Sequence, residues 1–277
     1  MRVRSISRRG RTCSCTPFSR VRSDRVSHPI LLEPKEVDPL TQLVPDSELV
    51  DKLVIANRIL YRQGVVDGFG HVSARHDKSL GRFLLARNMA PALVRRDDII
   101  TFDLDSAALD AEGRRVYLER FIHAEIYRAR PDVRAIVHSH SPSVIPFGVT
   151  AQTLRPIFHM SGFLAEGASL FEIREVAGDT DMLISDRRLG KALAAALGAR
   201  STVLMRGHGS TVVGASVEQA VYRAIYAEVN AKLQLQAMTL GKVTYLNERE
   251  AAKAAAINDT QLARTWELWQ REIGTIE

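Results

Sequence analysis

"LERFIHAEIYRARPDVRAIVHSHSPS", residues 118–143, is the stretch on which the reading of this chain turns. Its first half reads as a helix that Pro131 ends, because proline has no N–H for a further turn. "VRAIVHSHS" then reads as a buried strand, a β-branched apolar run finishing in His138 and His140. Side chains at i and i+2 of a strand share a face, so both rings project together. At a strand end they could meet one cation at about 2.0–2.1 Å. They could equally be hydrogen-bonded or surface histidines where a strand leaves the core.

A second stretch bears on that choice. "LMRGHGSTVVG" (204–214) sets His208 between two glycines at the end of another apolar run. Glycine lets a backbone approach closely and adopt φ > 0, which suits a presented ligand. A tight turn with an incidental histidine is the other reading. Together, His138, His140 and His208 would fill three corners of a metal site and leave a position open, the arrangement of catalytic sites. Glu119, in the first turn of the helix that leads into the H-x-H strand, is a candidate fourth ligand. Its alternative role is a carboxylate at the positive end of a helix dipole.

Working outward, "PDSELVDKLVIANRILYRQG" has Asp46 or Ser47 as N-cap and Gly64 as stop, so a helix is expected between them. "GHVSARH", "GRFLLAR" and "DDIITFDLDS" read as short strands, and "STVLMRGHGSTVVG" as strand, turn, strand. "LGKALAAALGA" reads as a short helix, and "SVEQAVYRAIYAEVNAKLQLQAMTLG" as a long one capped by Ser216. A weaker terminal helix carries Trp266 and Trp269 and is expected to cover a subunit interface. Helices precede, divide and follow the strands without a βαβ rhythm, which predicts one three-layer α/β domain.

Composition narrows the function. The 277 residues, 45% hydrophobic, contain no apolar run long enough to span a membrane. The formal charge of +6 is misleading: residues 1–26 hold eight arginines against Asp24, a net of +7, which leaves −1 for the rest. A nucleic-acid partner is therefore not expected. Cys13 and Cys15 also lie in that tail, so residues 27–277 have neither a disulfide framework nor thiolate ligands. Residues 1–40 are expected to be an Arg/Ser-rich, disordered and dispensable leader. An organellar targeting segment, a polyanion-binding arm and upstream translation are the alternatives. A domain is expected over 41–277, cytoplasmic because no secretory signal is present.

With these residues assembled, "LERFIHAEIYRARPDVRAIVHSHSPS" followed by "MRGHGSTVVG" resembles the class II aldolase/adducin family, over residues 47 to 242. The resemblance implies a three-layer αβα domain with a mixed, mainly antiparallel sheet between helix layers. It also implies a homotetramer with sites at subunit boundaries. One divalent ion per subunit, Mn²⁺ or Zn²⁺, would be held by Glu119, His138, His140 and His208. Such an ion polarises a substrate carbonyl or hydroxyl pair during C–C cleavage. Glu119 would ligate the ion or shuttle a proton.

The chain departs from the sugar-phosphate members of that family. In "GFGHVSAR" His71 replaces an asparagine while Ser73 remains, and in "LLARNMAPALV" Arg87 and Asn88 stand where small hydroxyl residues are expected. These changes resemble the decarboxylase branch, whose members act on hydroxypyridine dicarboxylates. The resemblance thus implies a hydroxy-aryl carboxylate substrate. Arg87 would orient a carboxylate through its bidentate fork, with Ser73, Asn88 and Arg206 as further substrate contacts. His71 or His159, the latter in "RPIFHMSGFLAEG", would handle the proton. Arg87 and Arg206 could instead be solvated charges, and His159 a core histidine. Tyr222 and Tyr226, four apart on the long helix, are expected to serve packing. A metal-dependent aldolase or epimerase acting on a sugar phosphate and a non-catalytic adducin-like assembly module are the competing functions.

Overall fold

A computed structural model describes residues 44–274, and the expected leader at 1–40 lies outside them. Seven strands form one sheet in the order β3-β2-β1-β4-β7-β6-β5. They are β1 (His71–Arg75), β2 (Arg82–Ala86), β3 (Ile99–Asp103), β4 (Ala135–Ser139), β5 (Ser169–Phe171), β6 (Thr202–Met205) and β7 (Gly209–Gly214). Neighbours are antiparallel except β5 and β6, which run parallel. The mixed, mainly antiparallel sheet is as expected.

Alternation explains the layers. Ile136 and Val213, with Phe83 and Leu85, face a core built with α2 (Arg120–Ala129) and α5 (Arg187–Leu197). Their neighbours Ala135, Val137, Val212 and Leu84 face the opposite core, built with α1 (Ser47–Arg62), α6 (Val217–Leu240) and α8 (Leu262–Ile273). A strand buried on both faces reads as a continuous apolar run, which is how "AIV" and "TVLM" look in the sequence. α6 begins at its expected cap, Ser216, whereas α5 begins at Arg187, two residues before the expected segment, behind Asp186. Ser216 accepts from the Gln219 N–H and Asp186 from the Leu189 N–H, each satisfying a donor left over by its helix.

Four short elements were not expected: α3 (Ile145–Val149), β5, α4 (Arg174–Ala177), and α7 (Glu248–Asp259), which has an Asn247/Glu250 capping box. Two boundaries also differ. Glu119 is the N-cap of α2 rather than a residue of its first turn, and His140 lies one residue past β4. One buried cation ties the α2 layer to the sheet. The Arg75 guanidinium donates to the carbonyls of Val133, Leu80, Tyr127 and Arg130 and stacks 4.6 Å over the Tyr127 ring. The carbonyls at the negative end of α2 suit that charge. Among the described residues, no helix is long and apolar enough to cross a membrane.

Candidate metal centre and its cavity

β4 lies between β1 and β7, with His138 opposite His71 on one side and Thr211 on the other. The His138 Nδ1–H donates to the Ser210 carbonyl at 3.1 Å, which leaves Nε2 bare and turned toward His140. His208 is presented by the turn between β6 and β7. Gly207 there has φ +65°, and a Cβ at Gly209 would lie 2.1 Å from the Ser139 carbonyl oxygen. Both glycines are required, one for conformation and one for close approach. The His208 Nδ1–H donates to the Met182 carbonyl at 2.9 Å, and Met182 itself has φ +73°. Both rings thus carry their proton on Nδ1 and aim a bare Nε2 at one point, the state in which imidazole binds metal.

Glu119 completes the set from the end of α2. One carboxylate oxygen accepts from the Ile184 N–H at 3.1 Å, while the other lies 3.5 Å from the Nε2 atoms of both His138 and His208. His140 Nε2 is 3.3 Å from that of His138 and 3.0 Å from that of His208. The four donor atoms lie within 4.8 Å of one another. A tetrahedral ion with bonds near 2.1 Å separates its ligands by about 3.4 Å, so the spacing fits one divalent cation. Burial alone would raise the Glu119 carboxyl, but His138 and His208 outweigh it and hold it well below the carboxylate range. Burial, then His138 and His208, push His140 down to about 4. Burial would also depress His208, but the hydrogen bond and charge of Glu119 raise it. An ionised Glu119 and a neutral His140 make a ligand set that needs no rearrangement.

A cavity of about 320 Å³ opens beside this cluster, lined by Glu119 and His140 together with Phe69, His71, Asn88, Tyr117 and Leu118. No Lys or Arg is among its described lining residues. A larger cavity of about 420 Å³, bordered by Arg130, Arg200 and Arg223, touches none of the cluster. His71 sits at the meeting of the two polar regions, its ring centroid 5.0 Å from that of His138 and 4.6 Å from that of Tyr117.

The remaining expected site residues divide. His71 and Asn88 line the cavity, whereas Ser73 is wholly buried beneath it, bonded to His123 and Tyr127. Arg87 is turned onto Asp98, with 2.5 Å between Nε and Oδ1, and Arg206 onto Glu172 at 2.8 Å. Neither guanidinium lines the cavity, so the expected carboxylate clamp is not formed within one chain. His159 is likewise not brought to the cluster. It is exposed in a short 3-10 segment (His159–Leu164) that packs on α7, where Asn258 holds its carbonyl. Tyr222 is buried and donates to the Met160 carbonyl, stacking on Tyr226 at 4.6 Å, which is packing as expected. Sequence reasoning missed Phe69, Tyr117 and His123. Only His123 carried a signal, being four residues after Glu119 on the same helical face.

The family described as Class II Aldolase and Adducin N-terminal domain matches residues 51–235. Decarboxylase tropJ of Talaromyces stipitatus is 36% identical over 256 residues, 84% of this chain and 96% of that protein. The 3,4-dihydroxyphthalate decarboxylase of Arthrobacter keyseri is 34% identical over 201 residues, 69% of this chain and 79% of that protein. Among solved structures, the L-fuculose 1-phosphate aldolase from Glaciozyma antarctica PI12 superposes with a TM-score of 0.68 at 24% identity, covering 84% of this chain and 96% of that one. That likeness speaks to the fold.

Proposed function

Because this chain belongs to the class II aldolase and adducin family and is a metal-dependent carbon–carbon lyase, we propose that it decarboxylates a hydroxy-aryl or hydroxypyridine carboxylate whose hydroxyl is ortho to the departing group. The observation that carries this reading is the cavity beside the cluster, which joins an aromatic and apolar wall to the ligand set and has no Lys or Arg among its described lining residues. A planar ring would fit the wall that includes Phe69 and Tyr117, with its hydroxyl and departing carboxylate turned to the ligand set. The two decarboxylase relatives support the same direction.

Glu119, His138, His140 and His208 would hold the ion, Mn²⁺ or Zn²⁺, which both suit such a donor set. When bound, it supplies a Lewis acid for the substrate oxygens and for the negative charge left on the ring as CO₂ departs. The protein does the rest. Leu118 and Leu183 extend the apolar wall. Asn88 offers an amide to a substrate oxygen. His71 meets the substrate at the cavity floor and holds a proton there. Ser73 acts by orienting His71 through His123, not by touching substrate. Homotetrameric assembly belongs to the same reading, supported by exposed Ile257 and Leu268 on α7 and α8.

Purified protein loaded with Mn²⁺ or Zn²⁺ is to be incubated with 3,4-dihydroxyphthalate and with hydroxypyridine dicarboxylates while CO₂ is measured. Chelator-sensitive CO₂ release is the expected result. Aldehyde release from fuculose 1-phosphate, with no CO₂ from any acid, would overturn the reading.

A further inference from the structure

Beneath the cavity runs a chain of polar contacts that ends at His71. His71 Nδ1 is 2.7 Å from His123 Nε2, His123 Nδ1 is 2.6 Å from Ser73 Oγ, and Ser73 Oγ is 2.8 Å from the Tyr127 hydroxyl. All four side chains are buried, at most 3% exposed. Two strands and a helix build the chain. His71 and Ser73 share the face of β1 that meets α2, and His123 and Tyr127 are four apart on α2.

Each contact holds one proton, and the chain can be ordered in two continuous directions. A third ordering, in which Ser73 accepts from both Tyr127 and His123, leaves the Ser73 O–H without an acceptor among the described residues and is disfavoured for that reason. In the first, Tyr127 donates to Ser73, Ser73 to His123 Nδ1, and His123 Nε2–H to His71 Nδ1. Every proton then has an acceptor, and the remaining proton of His71 is on Nε2. In the second, His71 Nδ1–H donates to His123, His123 to Ser73, and Ser73 to Tyr127. The Tyr127 O–H must then find another acceptor. Among the described residues it has none, because Ser73 Oγ is its single hydrogen-bond partner. An orphaned buried donor is heavily disfavoured. Both rings are taken as neutral, since both are buried and neither forms an ion pair with a carboxylate among the described residues.

The geometry points to a one-way hydrogen-bond chain, Tyr127 to Ser73 to His123, that locks His71 in its Nε2–H tautomer and makes it a donor toward the cavity. His123, Ser73 and Tyr127 are positioning residues acting through His71. The consequence for the ligand is specific: the atom meeting His71 is an acceptor, a carboxylate or phenolate oxygen. That consequence rests on the function proposed above, whereas the tautomer itself does not.

The test is spectroscopic. Full-length ¹⁵N-labelled protein loaded with Zn²⁺, which is diamagnetic, is examined by long-range ¹H–¹⁵N correlation of its imidazoles. His71 is assigned through its contacts to the Tyr117 ring. The expected pattern is a protonated Nε2 and a bare Nδ1, in a ratio above about 10:1. A protonated Nδ1, or an averaged pattern, overturns the proposal. Two variants add a readout that mere packing would not move. Ser73→Ala removes the donor to His123 and brings the ratio toward unity, and Ser73→Thr, which restores a hydroxyl while adding bulk, brings it back. If Thr fails to recover what Ala loses, the chain is packing only and the proposal falls. Absence of CO₂ release with a locked His71 would count against the substrate reading alone.

Discussion

Two polar assemblies share one face of the sheet, and they handle protons in opposite ways. In the cation cluster, His138 and His208 direct their Nδ1–H groups outward to the Ser210 and Met182 carbonyls and converge on a point with bare nitrogens. In the chain beneath the cavity, each group passes its donor to the next, and a proton emerges at His71. Both use the same local device, polar residues at i and i+2 of a strand, on strands paired so that His71 faces His138. What differs is the partner of the second ring nitrogen. A backbone carbonyl makes an imidazole an acceptor toward the site, and an N–H received from a neighbouring imidazole, as His71 receives from His123, makes it a donor. One region receives a cation and the other presents a hydrogen bond.

The sharpest way to break that contrast is His208→Ala. Removing one converging nitrogen should lower bound metal, measured by elemental analysis after dialysis, from about one per chain to near zero. CO₂ release should fall by roughly 10³-fold or more. The tautomer pattern of His71 and His123 should persist, because no hydrogen bond of the chain involves His208. Parallel loss of both would mean that the two assemblies are one.

Gly209→Ala tests the framework of the cluster and not its ligands. The added methyl would sit 2.1 Å from the Ser139 carbonyl oxygen, so β4 and the His208 turn must separate. A loss of ~1–3 kcal/mol is expected in urea unfolding of the metal-free protein, with weaker metal retention. An unchanged midpoint would show that the turn relaxes without strain.

How much of this was legible follows from the same contrast. The cluster could be read because its residues carry local signals: two histidines at strand period and a third between glycines. The sheet could be read because β4 and β6 carry short apolar runs, "AIV" and "TVLM", and β7 follows β6 across a glycine turn. The chain could not. Ser73, His123 and Tyr127 come together only when β1 lies on α2, and the local signals at Ser73 and His123 point to the substrate and to Glu119 rather than to one another. Arg87 and Arg206 misled for a related reason. Sequence shows a charge but not the carboxylate that claims it, here Asp98 and Glu172. β5 escaped notice because three residues, Ser169–Phe171, give alternation no room to register.

The carboxylate on Arg206 gives a smaller prediction. Hydrogen bonds from Arg174, and then from Arg206, hold Glu172 down from an ordinary 4.5 to about 2. Its folded value lies below its unfolded one, so its contribution to stability is fully present above about pH 4.5 and is lost as the pH falls toward 2. Glu172→Gln should therefore lower the thermal midpoint at pH 7 and reduce its fall between pH 5 and pH 3, because the variant has already lost what the parent loses on acidification. A variant that loses as much midpoint as the parent over that interval would mean that the Arg206 clamp does not survive in solution.

The smallest effect is expected at Arg87. A guanidinium orienting a substrate carboxylate would make Arg87→Ala raise KM by an order of magnitude or more, since charge-assisted bidentate bonds are strong. The ion pair with Asp98 implies otherwise. Its Arg side chain is 39% exposed, and such pairs contribute about 0–1 kcal/mol. Arg87→Ala should therefore leave kcat and KM for CO₂ release within about twofold and lower stability by less than ~1 kcal/mol. A large rise in KM would mean that Arg87 leaves Asp98 when substrate arrives. Recognition would then be shared between a mobile cation and the fixed donor at His71. No change in KM leaves His71, Asn88 and the ion as the groups that read the substrate's oxygens, and the division between a cation-receiving and a proton-presenting half of the site stands.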